Sequence, residues 1–222
     1  MKLFNYFRSS ASYRVRIALE IKGLSYDYVP VHLVRAEHRL PAYADKLGDP
    51  LLPALDLKDG HTLVQSMAII EYLDEMQPQP PLLPQDALGR AQVRALAQMI
   101  ACEIHPINNL RVLKHLTQEL HLSEEAKSAW YHHWTRSGLE AFERQLQLLA
   151  AERTAAGLAP SVMSWGDQPT LADCCLAPQI FNAQRFKVRL DGLPLTMGAW
   201  EAGVALPAFQ RAHPSVCPDA EA

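Results

Sequence analysis

Residues 3–23 read LFNYFRSSASYRVRIALEIKG. The apolar run Leu3–Phe7 has the character of a strand, and the periodic segment Ser12–Lys22, closed by Gly23, has that of a helix. Downstream, Tyr26, Tyr28, Val29 and Val31 predict a second strand, and Pro30 within it argues for a sheet edge or a strand end. A less regular stretch, read as a second helix, runs to Leu47. Pro53 precedes the apolar run Ala54–Leu57, Lys58-Asp59-Gly60-His61 forms a turn, and Thr62–Val64 completes a β-hairpin. Ser66 then starts a helix through about Met76. This order is that of a thioredoxin-like sheet. The segment 77–84, QPQPPLLP, can be neither helix nor central strand because proline removes the amide donor and restricts the residue before it. The expected division is therefore an α/β thioredoxin-like domain over 1–82 and a second domain over 83–222.

Beyond Asp86 the pattern turns helical throughout, which predicts an all-α C-terminal domain. Val93, Leu96, Ile100, Ile104 and Ile107 form one apolar stripe, and Leu139, Phe142, Leu146 and Leu149 form another. Pro106 is expected to kink the first long helix. Trp130 and Trp134, one turn apart, read as core or packing residues in preference to a ligand box. Thr170-Leu171-Ala172-Asp173 has the spacing of a capping box. The chain of 222 residues is 49% hydrophobic and 20% charged, with a formal net charge of -3, so it offers no basic field for nucleic acid or anionic lipid. No apolar run reaches the length of a membrane span and no secretory leader is read at the start, so a cytoplasmic protein acting on a small molecule is expected. Four cysteines, Cys102, Cys174, Cys175 and Cys217, fit neither a disulfide framework nor a zinc ribbon, and no metal is expected.

Three hydroxyls, Ser9, Ser10 and Ser12, sit between the first strand and the first turn of its helix. Free amides and the positive helix end there can lower a thiol pKa, and a serine hydroxyl can donate to a thiolate. No cysteine lies at this place, so the thiol would come from a ligand; ordinary N-capping by these serines is the competing explanation. Gln65-Ser66, where the hairpin passes into a helix, can hold a carboxylate through a hydroxyl and two amides, or Ser66 can simply be a cap. A cis bond at Pro53 would leave the backbone of Leu52 available to an extended peptide.

Taken together, SSASYRVRIAL, LPALDL, QSMAIIEYL, LLPQD, IHPINNLRVLKHL, TLADCCLAPQ and NAQRFKV resemble the zeta class of glutathione transferases over essentially the whole chain. The bacterial members of that class include maleylacetoacetate and maleylpyruvate isomerases. The resemblance implies glutathione as cofactor, with Ser9 and Ser10 beside its sulfur, Gln65 and Ser66 at its γ-glutamyl end, and Leu52, before Pro53, along its backbone. It also implies His38, His105, Asn109 and Arg111 as lining residues, Arg185 in NAQRF as the arginine for a diketo acid substrate, and a homodimer; Arg8, which abuts the proposed sulfur site, is the second candidate cation, and either arginine could instead be a surface ion-pair residue. Two departures stand out: Ala11 replaces the cysteine of the usual SSCS motif, leaving only its backbone amide to face a thiolate, and the loop Leu47-Gly48-Asp49-Pro50-Leu51-Leu52 differs from the family's usual segment. The implied reaction is cis–trans isomerisation of maleylacetoacetate in tyrosine breakdown; maleylpyruvate isomerisation in gentisate breakdown, general conjugation of glutathione to electrophiles, and a binding protein without turnover are the alternatives.

Overall fold

The structure is a computed structural model and describes residues 1–48 and 50–221. The first strand, β1 (Lys2–Asn5), alternates exposed and buried residues and lies inside a four-stranded sheet of order β2-β1-β3-β4. It pairs in parallel with β2 (Asp27–Pro30) and antiparallel with β3 (Ala54–Asp56), which in turn forms a hairpin with β4 (Thr62–Val64). Leu3 faces Tyr28 on one side and Leu55 on the other. Leu3 and Leu55 are fully buried, each removal from water contributing about 2 kcal/mol. Pro30 ends the edge strand, where its missing amide costs no ladder bond.

Helix α1 (Ser10–Lys22) follows β1 and ends at Gly23, whose φ of 64° and amide bonds to the Glu20 and Leu19 carbonyls form a left-handed C-cap. It packs against α3 (Ser66–Met76) and α10 (Pro207–Ala212). The short helix α2 (Pro41–Leu47), preceded by a 3-10 turn at Glu37–Arg39, meets the sheet through Tyr43 on Phe4, ring centroids 5.8 Å apart. Lys22, at the end of α1, is buried, and its Nζ donates to Asp74 at 2.5 Å, to the Gln77 carbonyl at 2.8 Å and to the Pro80 carbonyl at 2.5 Å. That cluster ties the proline-rich segment down. Sheet and flanking helices make the expected thioredoxin-like arrangement.

The chain divides into two compact units, Met1–Leu82 with Val204–Ala222, and Leu83–Gly203. The domain expected over 83–222 therefore gives up its last segment to the first unit. Arg16 explains why: its Nε donates to the Ala212 carbonyl, its Nη1 to Asn5 Oδ1 and its Nη2 to the Phe7 carbonyl, each at 3.0 Å. Asp219 adds a second tie, accepting from the Phe7 amide at 3.2 Å and from the Tyr28 hydroxyl.

The second unit is helical among its described residues: α4 (Ala87–Gln98), a π-helical turn at Met99–Ile104, α5 (His105–Ile107), α6 (Leu110–Gln118), α7 (Glu124–Ala155), α8 (Leu171–Arg185) and α9 (Pro194–Val204) up to Gly203. Val93, Leu96, Ile100 and Ile104 are buried, as are Leu139, Phe142, Leu146 and Leu149. Ile107 is only half-buried. Next to Pro106 the helix widens into the π-helical turn, so the expected kink takes the form of a register change that absorbs the missing donor. The capping box of α8 forms, with the Thr170 amide on Asp173 at 2.8 Å and the Ala172 amide on the Thr170 hydroxyl at 3.2 Å. Burial pushes the Asp173 carboxyl above the usual carboxylate range, against the Ser164 and Thr170 donors that favour its charge. Cys174 and Cys175 are buried in α8. Trp130 donates its indole N–H to the Ile107 carbonyl at 3.0 Å, whereas Trp134 is 39% exposed and is not a core residue. No helix of the described chain is long and apolar enough to cross a membrane.

Candidate functional site

The carboxyl end of β1 delivers Arg8, Ser9 and Ser10 to the start of α1. Ser9 is the N-cap: its extended backbone lets the hydroxyl oxygen accept from the Ser12 amide at 3.2 Å, while its own amide donates to the Tyr6 carbonyl at 3.0 Å. Capping uses a lone pair and leaves the hydroxyl hydrogen available, so cap and donor are compatible roles for Ser9. Ser9 is half-buried, whereas Ser10 and Ala11 are 6% and 8% exposed. The first amides of α1, Ala11's included, belong to the helix end that lacks intrahelical acceptors.

Arg8 lies beside the serines. Its Nη2 donates to the Tyr6 hydroxyl at 2.9 Å and stands 3.7 Å from Glu221, and its guanidinium lies 4.7 Å from the Phe7 ring centroid. Leu52, joined to Pro53 by a cis peptide bond as expected, leads into β3 and packs against the cluster of Tyr6, Phe7 and Cys217, so the third expected feature reaches the residues that follow β1. In the loop before it, Asp49 lies outside the described residues. The Tyr43 hydroxyl donates to the Leu51 carbonyl at 2.8 Å. His38 is half-buried in the 3-10 turn Glu37–Arg39.

Gln65 joins β4 to α3 with φ at 68°, a left-handed value that a non-glycine residue holds only under constraint. Ser66, the first residue of α3, is 6% exposed and accepts from Arg14 Nη1 at 3.3 Å. Arg14 thus links the two helix starts, with Ser9 capping its own helix and Ser66 opening the other. The sequence reading passed over Arg14. No local signal marks it, since its burial becomes visible only once α1 is packed on its neighbours.

The remaining expected residues belong to the second unit. Asn109 is the N-cap of α6, its Oδ1 accepting from the Arg111 amide at 3.1 Å and its Nδ2 lying 3.4 Å from His105 Nε2. The side chain of Asn109 therefore has a structural task. Arg111 is exposed on α6. Arg185 closes α8 with its guanidinium 4.5 Å from the Phe186 ring centroid, and Phe186 packs on Tyr131 with ring centroids 4.2 Å apart. Among the described residues no cluster of three or more metal-binding side chains occurs.

The sequence profile of the glutathione S-transferase N-terminal domain matches residues 1–75. A maleylacetoacetate isomerase from Pseudomonas aeruginosa is 44% identical, with 100% of both chains covered. Among solved structures, the holo form of a bacterial maleylpyruvate isomerase, described as a zeta-class glutathione S-transferase, is 44% identical over 100% of both chains at a TM-score of 0.92. A maleylacetoacetate isomerase from Anaeromyxobacter dehalogenans, solved with glutathione in its active site, is 39% identical over 99% of this chain and 97% of its own, at a TM-score of 0.85.

Proposed function

Because the chain belongs to the zeta class of the glutathione transferases, we propose that it is a glutathione-dependent cis–trans isomerase that converts maleylacetoacetate to fumarylacetoacetate. The observation that carries the reading is the pairing, in one unit, of the Ser9 cap with the Ser66 helix start, bridged by buried Arg14. The residues fit glutathione in two respects: a donor with a spare hydrogen stands where a thiolate needs one, and open guanidinium N–H groups stand beside the helix end that would take a carboxylate.

The chemistry that bound glutathione supplies is reversible thiol addition across the cis double bond, which leaves a single bond free to rotate before the thiol departs unchanged. Ser9 donates to the thiolate form, and the α1 amides, Ala11's included, add the field of a helix N-terminus that holds it ionised near neutral pH. Ala11 has no side chain to react, so the hydroxyl and the amides carry this task. Ser10, more deeply buried, supports the turn. Gln65 and Ser66 hold the γ-glutamyl end, and Leu52, with Pro53 fixing the entry to β3, offers backbone to the extended peptide. Arg8 and Arg185 are the cations for substrate carboxylates and for the charge that develops on the neighbouring carbonyl. His38 in the first unit, and His105 and Arg111 in the second, are the further ligand-binding residues of this reading, with Asn109 acting through its cap of α6. The protein works in the cytoplasm, as a homodimer, in tyrosine breakdown.

Maleylpyruvate is the second reading, favoured by the fact that relatives bearing either substrate name are similar to nearly the same degree, 45% and 44% identical. Both substrates, followed optically with and without catalytic glutathione and with total thiol quantified at the end, decide between them. Isomerisation that requires glutathione and leaves the thiol pool intact is the expected result. Consumption of thiol would instead identify a conjugating transferase.

A further inference from the structure

Arg14 and Arg16 sit two residues apart in α1, are 2% and 1% exposed, and are accommodated very differently. Arg16 places Nε, Nη1 and Nη2 each on an oxygen at 3.0 Å. Arg14 donates once, from Nη1 to Ser66 Oγ, and its Nε and Nη2 are buried with no hydrogen-bond partner among the described residues. A guanidinium cannot shed its proton at any physiological pH. A buried one with open donors is costly to keep unless an anion answers it, and groups left unsatisfied in this way call for a ligand or another specific cause.

The geometry at Ser66 says where that anion goes. A guanidinium only donates, so the bond from Arg14 occupies a lone pair of Ser66 Oγ and leaves the single hydroxyl hydrogen for a different acceptor. Ser66 opens an 11-residue helix whose first amides have no intrahelical partner, and Gln65 turns the chain into it at a positive φ. Hydroxyl hydrogen, amides and buried positive charge therefore meet at one helix start.

We propose that Arg14 is the positioning residue and buried counter-charge for the α-carboxylate of glutathione's γ-glutamyl group, acting through Ser66, and that it makes the chain select thiols carrying that carboxylate. This inference rests on the glutathione reading above. Its effect is on recognition of one end of the ligand, remote in covalent bonds from the sulfur, so it is read in binding and not in turnover.

The test uses the full chain and isothermal titration calorimetry with two ligands, glutathione and the analogue whose glutamyl α-carboxylate is a carboxamide. Wild type is expected to bind glutathione at least ten-fold more tightly than the analogue. In Arg14→Gln that ratio is expected to fall to less than a third of its wild-type value; a ratio kept above a third overturns the proposal. Loosened folding would weaken both ligands alike and leave the ratio unmoved, so a purely structural role for Arg14 is distinguished. Should Arg14→Gln fail to fold, Ser66→Ala decides: it cuts the link by which Arg14 acts, so the ratio is expected to fall below a third of its wild-type value, and a ratio kept above a third overturns the proposal. Wild type that binds both ligands equally overturns the role of Arg14 while leaving the glutathione reading intact. Wild type that binds neither overturns both.

Discussion

A single hydroxyl separates the capping and chemical explanations of the serine cluster. Ser9 accepts from the Ser12 amide with its oxygen and keeps its hydrogen, whereas Ser10 is buried in the first turn. Ser9→Ala is expected to lower turnover at saturating glutathione by a factor on the order of a hundred, the usual cost of removing one donor aimed at developing charge. The lost cap should also cost about 1 kcal/mol in chemical denaturation. Ser10→Ala should change turnover by less than about three-fold, since Ser10 is buried and the donor role is proposed for the more exposed Ser9. A reversed order of the two variants would move the donor role to Ser10. The serines, Gln65-Ser66 and Pro53 were legible because they stand at junctions between strand and helix, where cap chemistry leaves a local signature. Arg14 and Arg16 were not, because charged residues inside a helical period read as a solvated face. Only the packing of α3 and α10 on α1 shows that this helix has no such face.

His213 shows the same dependence on context. Burial, followed by the nearby Arg16 charge, lowers its pKa from the ordinary 6.5, and its Nδ1 accepts from the Ser215 amide at 3.2 Å. A depressed histidine pKa means that the unfolded chain takes up the proton first as the pH falls. The contribution of the neutral ring to stability is therefore complete above about pH 6.5 and is lost as the pH falls through the depressed value. Thermal melts between pH 7.5 and 5.5 should show a declining midpoint, and His213→Asn, which keeps a capping oxygen, should flatten part of that slope.

At the level of elements, the strand order and the hairpin could be read from alternation and turn residues, and α3 from its apolar spacing. The π-helical turn could not, because its cause is shared between Pro106 and a neighbour on another helix. A Cβ at Gly138 of α7 would stand 2.3 Å from Ile104 Cγ1, so the widened turn and α7 approach each other at the one position without a side chain. Gly138→Ala gains about 1 kcal/mol in helix propensity. The clash, about 1–3 kcal/mol or more in a packed core, should exceed it and lower the unfolding midpoint. A stabilised Gly138→Ala variant would show that Ile104 moves aside freely. Elsewhere, Lys22 shows how an irregular element is fixed: the QPQPPLLP segment has no pattern of its own, and a buried ammonium on two of its neighbouring carbonyls and Asp74 holds it.

For the whole molecule, the boundary at Leu82 falls within the proline-rich segment that the sequence marks, while the return of residues 204–222 to the first unit has no local signature. The acceptor for Arg16 Nε lies 196 positions downstream, and that for the Phe7 amide lies 212 downstream. Pairings at such separation leave no trace in a window of a dozen residues. A chain ending at Gly203 would strip Arg16, Phe7 and Tyr28 of these partners. In limited proteolysis it should be cut within residues 1–82 well before the helical unit is touched. Equal resistance of both units would show that the first closes without its last segment.

The Arg16–Ala212 bond also bears on the order in which the protein is made. At translation speeds of about 5–20 residues per second, on the order of ten to forty seconds separates the synthesis of Arg16 from that of its acceptor. Through that interval the helical unit can already have closed on the ribosome, while the helix bearing Ser9 still waits with a buried-to-be cation unanswered. The part synthesised first is therefore the part completed last.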